Sequence, residues 1–174
     1  MTEHRRTLRF AVVGLAAVAL VPALAGCWQG QAASTTWQAS QNSGNGVEAT
    51  VGSLSVQNAT VVKGDDGRAS LIFSVFNLGQ EPDSLTGATI GGIAATMPAT
   101  PDATAVAPGG TQAFGYGIEG QPPTNFLIVD GLEAAPSGYV PVTLTFERAG
   151  QLSISVLTVP PVGYYEGLLP PAGA

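Results

Sequence analysis

Two runs of alternating residues near the end of the chain limit its fold most. Val140, Val142, Leu144 and Phe146 alternate with Pro141, Thr143 and Thr145; after Glu147-Arg148-Ala149-Gly150 the pattern resumes, with Leu152, Ile154 and Val156 set against Ser153 and Ser155. Successive side chains of a strand point to opposite faces, so each run has one apolar and one hydroxylated face, and the interruption is a hairpin turn. The apolar face of such a hairpin needs a second layer to cover it.

Earlier segments supply candidates for that layer. Leu54, Val56 and Val61-Val62 belong to a first extended segment, and Asp65-Asp66-Gly67 is a strong turn signal after it. In the next run Leu71, Phe73 and Val75 share one apolar face, while Ser70, Ile72, Ser74 and Phe76 share a mixed one. A turn over 77–83 leads to a strand around 84–90. Residues 91–110 hold Pro98, Pro101, Pro108 and the pairs Gly91-Gly92 and Gly109-Gly110, and so offer only short strands and loops. Residues 111–118 alternate again, and 125–129 form a short apolar run of the kind a buried strand has. With 23 Gly and 13 Pro in 174 residues, and only 10% charged residues, turns are cheap and long helices absent after residue 27. Seven or so short strands at this spacing predict an all-β fold, an antiparallel β-sandwich.

The first 26 residues read differently. Arg5, Arg6 and Arg9 precede an apolar stretch over 10–21, and Leu24-Ala25-Gly26-Cys27 has the form of a bacterial lipobox. An uncleaved membrane anchor is the competing reading. The apolar run, however, is shorter than the roughly 20 residues a span requires, and Gly14 and Pro22 interrupt it. The expected organisation is therefore a lipoprotein signal peptide at 1–26, a lipidated Cys27 with a flexible tether to 47, a β-sandwich domain at 48–158, and a Pro/Gly-rich tail at 159–174. That tail is expected to be mobile, with Tyr164 and Tyr165 packing it loosely. Arg5-Arg6 also allows a twin-arginine export route. The expected location is the cell membrane, with the chain lipid-anchored on its extracytoplasmic face.

Removing the signal leaves eleven acidic residues against three basic ones, Lys63, Arg68 and Arg148, for a net charge of −8. Three scattered cations cannot neutralise a run of phosphates, so nucleic acid is not an expected partner. Cys27 is the only cysteine, which rules out an intramolecular disulfide. The only histidine, His4, lies in the signal, so Ser-His-Asp and Cys-His nucleophiles are unavailable to the mature chain. Asp130 and Glu133 could form a carboxylate pair, but charges at strand ends are usually solvated, and no enzyme is expected. Asp65-Asp66-Gly67 lacks the alternation of a calcium loop, and the glycine pairs lack the context of a phosphate loop; all are read as turns.

Ser74-Val-Phe-Asn77-Leu-Gly79, Asp83-Ser-Leu85, Gly131-Leu132 and the stretch from Tyr139 to Gly150 resemble the PCu(A)C-type periplasmic copper chaperones, in particular an actinobacterial lipoprotein branch. The resemblance covers about residues 50 to 158 and implies a cupredoxin-like, immunoglobulin-like sandwich. It also implies where Cu(I) ligands would stand. The family's His-x-Met falls on Phe126 and Ile128, and its two other ligand places fall near Ile93 and Thr104. None of the four is a soft or imidazole donor of the kind Cu(I) selects. Met97 is the one methionine after the signal, so no metal and no cofactor, copper included, is expected.

The resulting expectation is a non-catalytic, lipid-anchored envelope protein, copper-chaperone-like but without the copper site, serving as an interaction module. Its partners would be the membrane, through the anchor, and an envelope protein or respiratory complex. Two alternatives remain at this point. One is metal binding through a non-standard or intermolecular site; the other is binding of a small apolar ligand or lipid beside Phe126 and Ile128.

Overall fold

The computed structural model describes residues 46–116, 123–135 and 137–170. The expected signal at 1–26, with Leu24, Ala25 and Gly26 of the expected lipobox, Cys27 and the expected tether up to residue 45 lie outside the described residues.

The described chain is built from strands and two short 3-10 turns. In order the strands are β1 (Val47–Val51), β2 (Leu54–Lys63), β3 (Ala69–Asn77), β4 (Asp83–Ile90), β5 (Ile93–Ala94), β6 (Ala105–Val106), β7 (Thr111–Phe114), β8 (Leu127–Val129), β9 (Tyr139–Phe146) and β10 (Gly150–Val159). The expected β-sandwich is present, with more elements than the seven or so predicted, because β5, β6 and β8 are only two or three residues long. The strand expected over 111–118 stops at Phe114; Gly115 takes φ +67, and a Cβ there would lie 2.6 Å from Ile72 Cγ2.

One layer is formed by β1, β2, β3, β7 and β8. In it β3 pairs with β2 on one side, and on the other with β7 through its second half and β8 through its first. The second layer is β5-β4-β9-β10, with the β9–β10 hairpin in unbroken register from Gly150↔Phe146 to Leu157↔Tyr139. That register puts Val140, Val142, Leu144 and Phe146 inward and joins Thr143 Oγ1 to Ser153 Oγ at 3.2 Å on the outer face. The layers are not purely antiparallel: the end of β10 pairs parallel with β2, through Thr158↔Val61 and Val159↔Val62.

Two bulges reconcile the sequence with a single inner face. Leu54 and Val56 occupy even positions of β2, whereas the buried Ala59 and Val61 are odd. Pairing with β3 shifts between Gln57 and Thr60, where Asn58 adopts φ 56, and the extra residue keeps both halves facing the core. In β4 a shift between Leu85 and Gly87 does the same for Leu85, Ala88 and Ile90. The interior is mostly aliphatic, with Phe146 and a stacked aromatic pair: Phe73 and Phe114, adjacent in register, have ring centroids 4.5 Å apart and planes 8° from parallel. Each buried side chain of this size contributes roughly 1.5–3 kcal/mol.

Buried polar groups hold the loops. Asn77 Nδ2 donates to the Glu81 carbonyl at 2.7 Å and to that of Val106 at 3.2 Å, while its Oδ1 accepts the Gly79 N–H at 2.9 Å. Thr158 Oγ1 accepts the Gly138 N–H at 3.1 Å and lies within hydrogen-bonding distance of the Ala135 carbonyl, 3.1 Å.

The tail differs most from expectation. The end of the tail packs on the outer face of β2 and β3, where Leu168 forms a second cluster with Val62 and Ile72, flanked by Tyr116, Val159, Tyr165 and Leu169. The mixed outer face of β3 needed a cover, and the tail's leucines supply it. The prolines of the tail exclude a strand, which predicts mobility; side-chain burial without strand pairing escapes that rule.

Candidate functional site

The four places that the resemblance assigns to copper ligands fall in three settings. In β8, Leu127 and Val129 are buried in the core, while Ile128 and the preceding Phe126 are half-buried and alternate with them. Ile128 is held on both sides: it is in register with Ser70 of β3, and it exchanges backbone hydrogen bonds with Thr96, 2.8 and 3.3 Å long. This bridge brings the loop that carries Met97 beside β8. Ile93 pairs with Ile90, and both Ile93 and Met97 pack against the core.

Thr104 lies elsewhere. It closes the 3-10 turn Pro101–Ala103 with its Oγ1 3.0 Å from the Pro101 carbonyl, and its own carbonyl accepts the Leu85 N–H at 3.0 Å. Leu85 is five residues from Ile90 along β4. At ~3.3 Å per residue that places the backbone partners of Thr104 and Ile93 about 16 Å apart. The structure thus gathers Phe126, Ile128 and the loop holding Ile93 and Met97, and leaves Thr104 apart.

The chemistry of this corner is that of hydrocarbon. Its one thioether, Met97, is half-buried against the core. Among the described residues no group of three or more His, Cys, Asp or Glu side chains is placed to hold a metal ion.

Other candidates also resolve into structure. Asp130 forms an ion pair with Arg68, its Oδ1 3.3 Å from Nε. In the Asp65-Asp66-Gly67 stretch, Asp66 Oδ1 accepts the Arg68 N–H at 3.0 Å and Gly67 takes φ 83, so these residues make the turn. Gly91, Gly92 and Gly109 have positive φ and serve as turns likewise. Two surface clefts are lined by other residues: one of about 50 Å³ by Lys63, Asp65, Ser137 and Thr158 among others, the second, of about 170 Å³, by Ser53, Glu81, Asp83 and Arg148 among others.

Sequence reasoning missed the importance of Asp83. Its buried carboxylate accepts three backbone N–H groups, from Ser84 at 2.8 Å, Arg148 at 3.0 Å and Ala149 at 2.8 Å. The available signal was an aspartate at a strand start, which reads first as a turn residue. Ser70 belongs by alternation to the mixed face of β3, yet its Oγ is fully buried and has no hydrogen-bond partner.

No family model matches the chain, and no curated protein sequence does. Solved structures do match. The copper-bound PCuAC domain from PmoF2 is 21% identical, with a TM-score of 0.51, over 66% of this chain and 99% of that domain. The apo PCuAC domain from PmoF1 is 20% identical, with a TM-score of 0.54, over 66% and 100%. The apo PmoF2 PCuAC domain is 20% identical, with a TM-score of 0.50, over 67% and 98%. At these identities the likeness is one of fold: the chain is an all-β protein with a PCuAC-like sandwich.

Proposed function

We propose that this protein is a non-catalytic, lipid-anchored component of the cell envelope, in which a PCuAC-like sandwich acts as an interaction module and not as a copper carrier. The observation that carries this reading is the donor chemistry. Beyond the signal the chain has no histidine and one methionine, and that methionine is packed against the core. Phe126 and Ile128 present hydrocarbon where the resemblance implies imidazole and thioether, and Cu(I) gains nothing from such groups. One of the similar folds is copper-bound, which gives the difference in donors its weight.

The anchor is assigned to Cys27 behind Leu24, Ala25 and Gly26. Its two acyl chains suffice for stable attachment, at roughly 0.8 kcal/mol per buried methylene. The acidic domain then faces a membrane protein, with a respiratory complex as one candidate.

Two measurements test this. Titrating the purified chain with Cu(I) against a competing chelator is expected to show no binding tighter than micromolar; tighter binding would restore a carrier role. Crosslinking on intact cells is expected to recover a reproducible membrane partner, dependent on Cys27. If Cys27→Ala left the chain membrane-bound, the anchor assignment would be wrong.

A further inference from the structure

The segment after β10 is bound to the domain in the way a peptide ligand is bound. Four of its backbone N–H groups bond within the segment: Val162 to the Pro160 carbonyl, Tyr165 to that of Val162, Glu166 to that of Gly163 and Leu168 to that of Tyr165. Leu168 is 7% exposed and Pro170 is buried, while Val162 and Tyr164 are 63% and 71% exposed. The segment therefore anchors through Leu168-Leu169-Pro170 and leaves its first half outside.

The groove beneath is shaped for that anchor. Val62 and Ile72 contact Leu168, and a Cβ on Gly64 would come within 3.1 Å of Leu169 Cδ2, so the missing side chain leaves room for the leucine. Arg68, its side chain 15% exposed and 3.3 Å from the Asp130 carboxylate, donates from Nη1 to the Pro170 carbonyl at 2.8 Å. A backbone carbonyl is an acceptor that any peptide offers. Ser70, on the same face as Ile72, has its hydroxyl buried without a partner. That unsatisfied hydroxyl carries a desolvation penalty, which offsets part of what the leucines gain on the same face.

We propose that the outer face of β2 and β3 is a docking groove for short apolar segments of the Leu-Leu-Pro kind, and that residues 163–170 are an internal occupant which a partner's segment displaces. This rests on the interaction-module reading and gives that module its binding face and the chemistry of its partner. The strap lifts without breaking a sheet hydrogen bond, so exchange of occupants leaves the sandwich intact.

The test begins with hydrogen exchange on the full chain in detergent. The Leu168 amide is expected to exchange by local opening at least about tenfold faster than the amides of β3. Exchange of both only through global unfolding would overturn the proposal. Next, a chain ending at Val159 is expected to keep its cooperative unfolding transition and to bind a synthetic peptide of residues 163–170. The intact chain should bind it at least about tenfold more weakly, because its own strap competes. Arg68→Ala in the shortened chain should weaken peptide binding. Loss of the cooperative transition would make the strap part of the core; a folded chain that ignores the peptide would leave no groove; strap exchange between two intact chains, seen as a concentration-dependent dimer, would assign the groove to self-association. Any of these overturns the proposal. The peptide assay needs no cellular partner, so its failure is distinct from a failed crosslinking search.

Discussion

Asp83 holds the β9–β10 turn by its backbone: its Oδ1 accepts the N–H of Arg148 at 3.0 Å, and its Oδ2 that of Ala149 at 2.8 Å. The residues are 65 and 66 positions away in sequence, so one carboxylate ties the start of β4 to the far end of the hairpin. Hydrogen bonds to a charged acceptor contribute roughly 1.5–3 kcal/mol each, and removing the acceptor leaves the donors unsatisfied. Asp83→Ala is therefore expected to lower the stability of the domain by about 3 kcal/mol, read as a shift in the urea midpoint at unchanged slope. A loss below half a kilocalorie would show that water replaces the carboxylate.

The stacked pair Phe73 and Phe114 joins β3 to the short β7. Both rings are fully buried. Phe114→Ala is expected to cost about 3–5 kcal/mol, since the site is enclosed on all sides and can collapse little. Phe114→Leu, which keeps most of the volume, is expected to cost less than half as much. Equal losses in the two variants would mean that strain, and not lost volume, is being measured.

Tyr116 supplies a pH dependence. Burial, and then the neighbouring phenols of Tyr164 and Tyr165, push its hydroxyl up from 10.0 to about 12. Folded Tyr116 keeps its proton over a range in which the unfolded chain has lost it. Its contribution is thus complete below pH 10 and disappears as the pH rises to about 12. Thermal melts between these values should fall more steeply for the wild type than for Tyr116→Phe. Parallel curves would remove Tyr116 as the cause.

Ser70 predicts a gain. A buried hydroxyl without a partner carries a desolvation penalty of about 1–3 kcal/mol, and alanine removes it at the cost of a few lost contacts. Ser70→Ala is expected to leave the domain as stable or to stabilise it by about 1 kcal/mol. It should also slow exchange at Leu168 by closing the strap more firmly. A destabilised variant would reveal a partner for Ser70 in solution.

The strands were legible in the sequence because burial on one face forces period two. The inner face of β9 and that of β3 were both readable from alternation alone. The bulges at Asn58 and in β4 were less so: a change of parity from Val56 to Val61 marks that a bulge is needed but not where it falls. Asp83 and Asn77 look like turn residues, and only the fold shows that the turns they serve are distant in sequence. At the candidate site the sequence supplied the donor types at positions 93, 104, 126 and 128. It could not show that the backbone partners of Thr104 and Ile93 stand about 16 Å apart along β4, at ~3.3 Å per residue.

By itself the sequence determined that this chain forms an all-β sandwich and that residues 28–174 have neither imidazole nor thiol for chemistry. Composition and period are local properties, and they decide what is available. The tertiary structure alone decided where the tail goes. Leu168 and Leu169 have no period to announce them, and their burial against Val62 and Ile72 depends on surfaces about a hundred residues earlier coming together. Hydrophobic burial has no direction and no sequence range, so the strap becomes visible only when the face that it covers has been built.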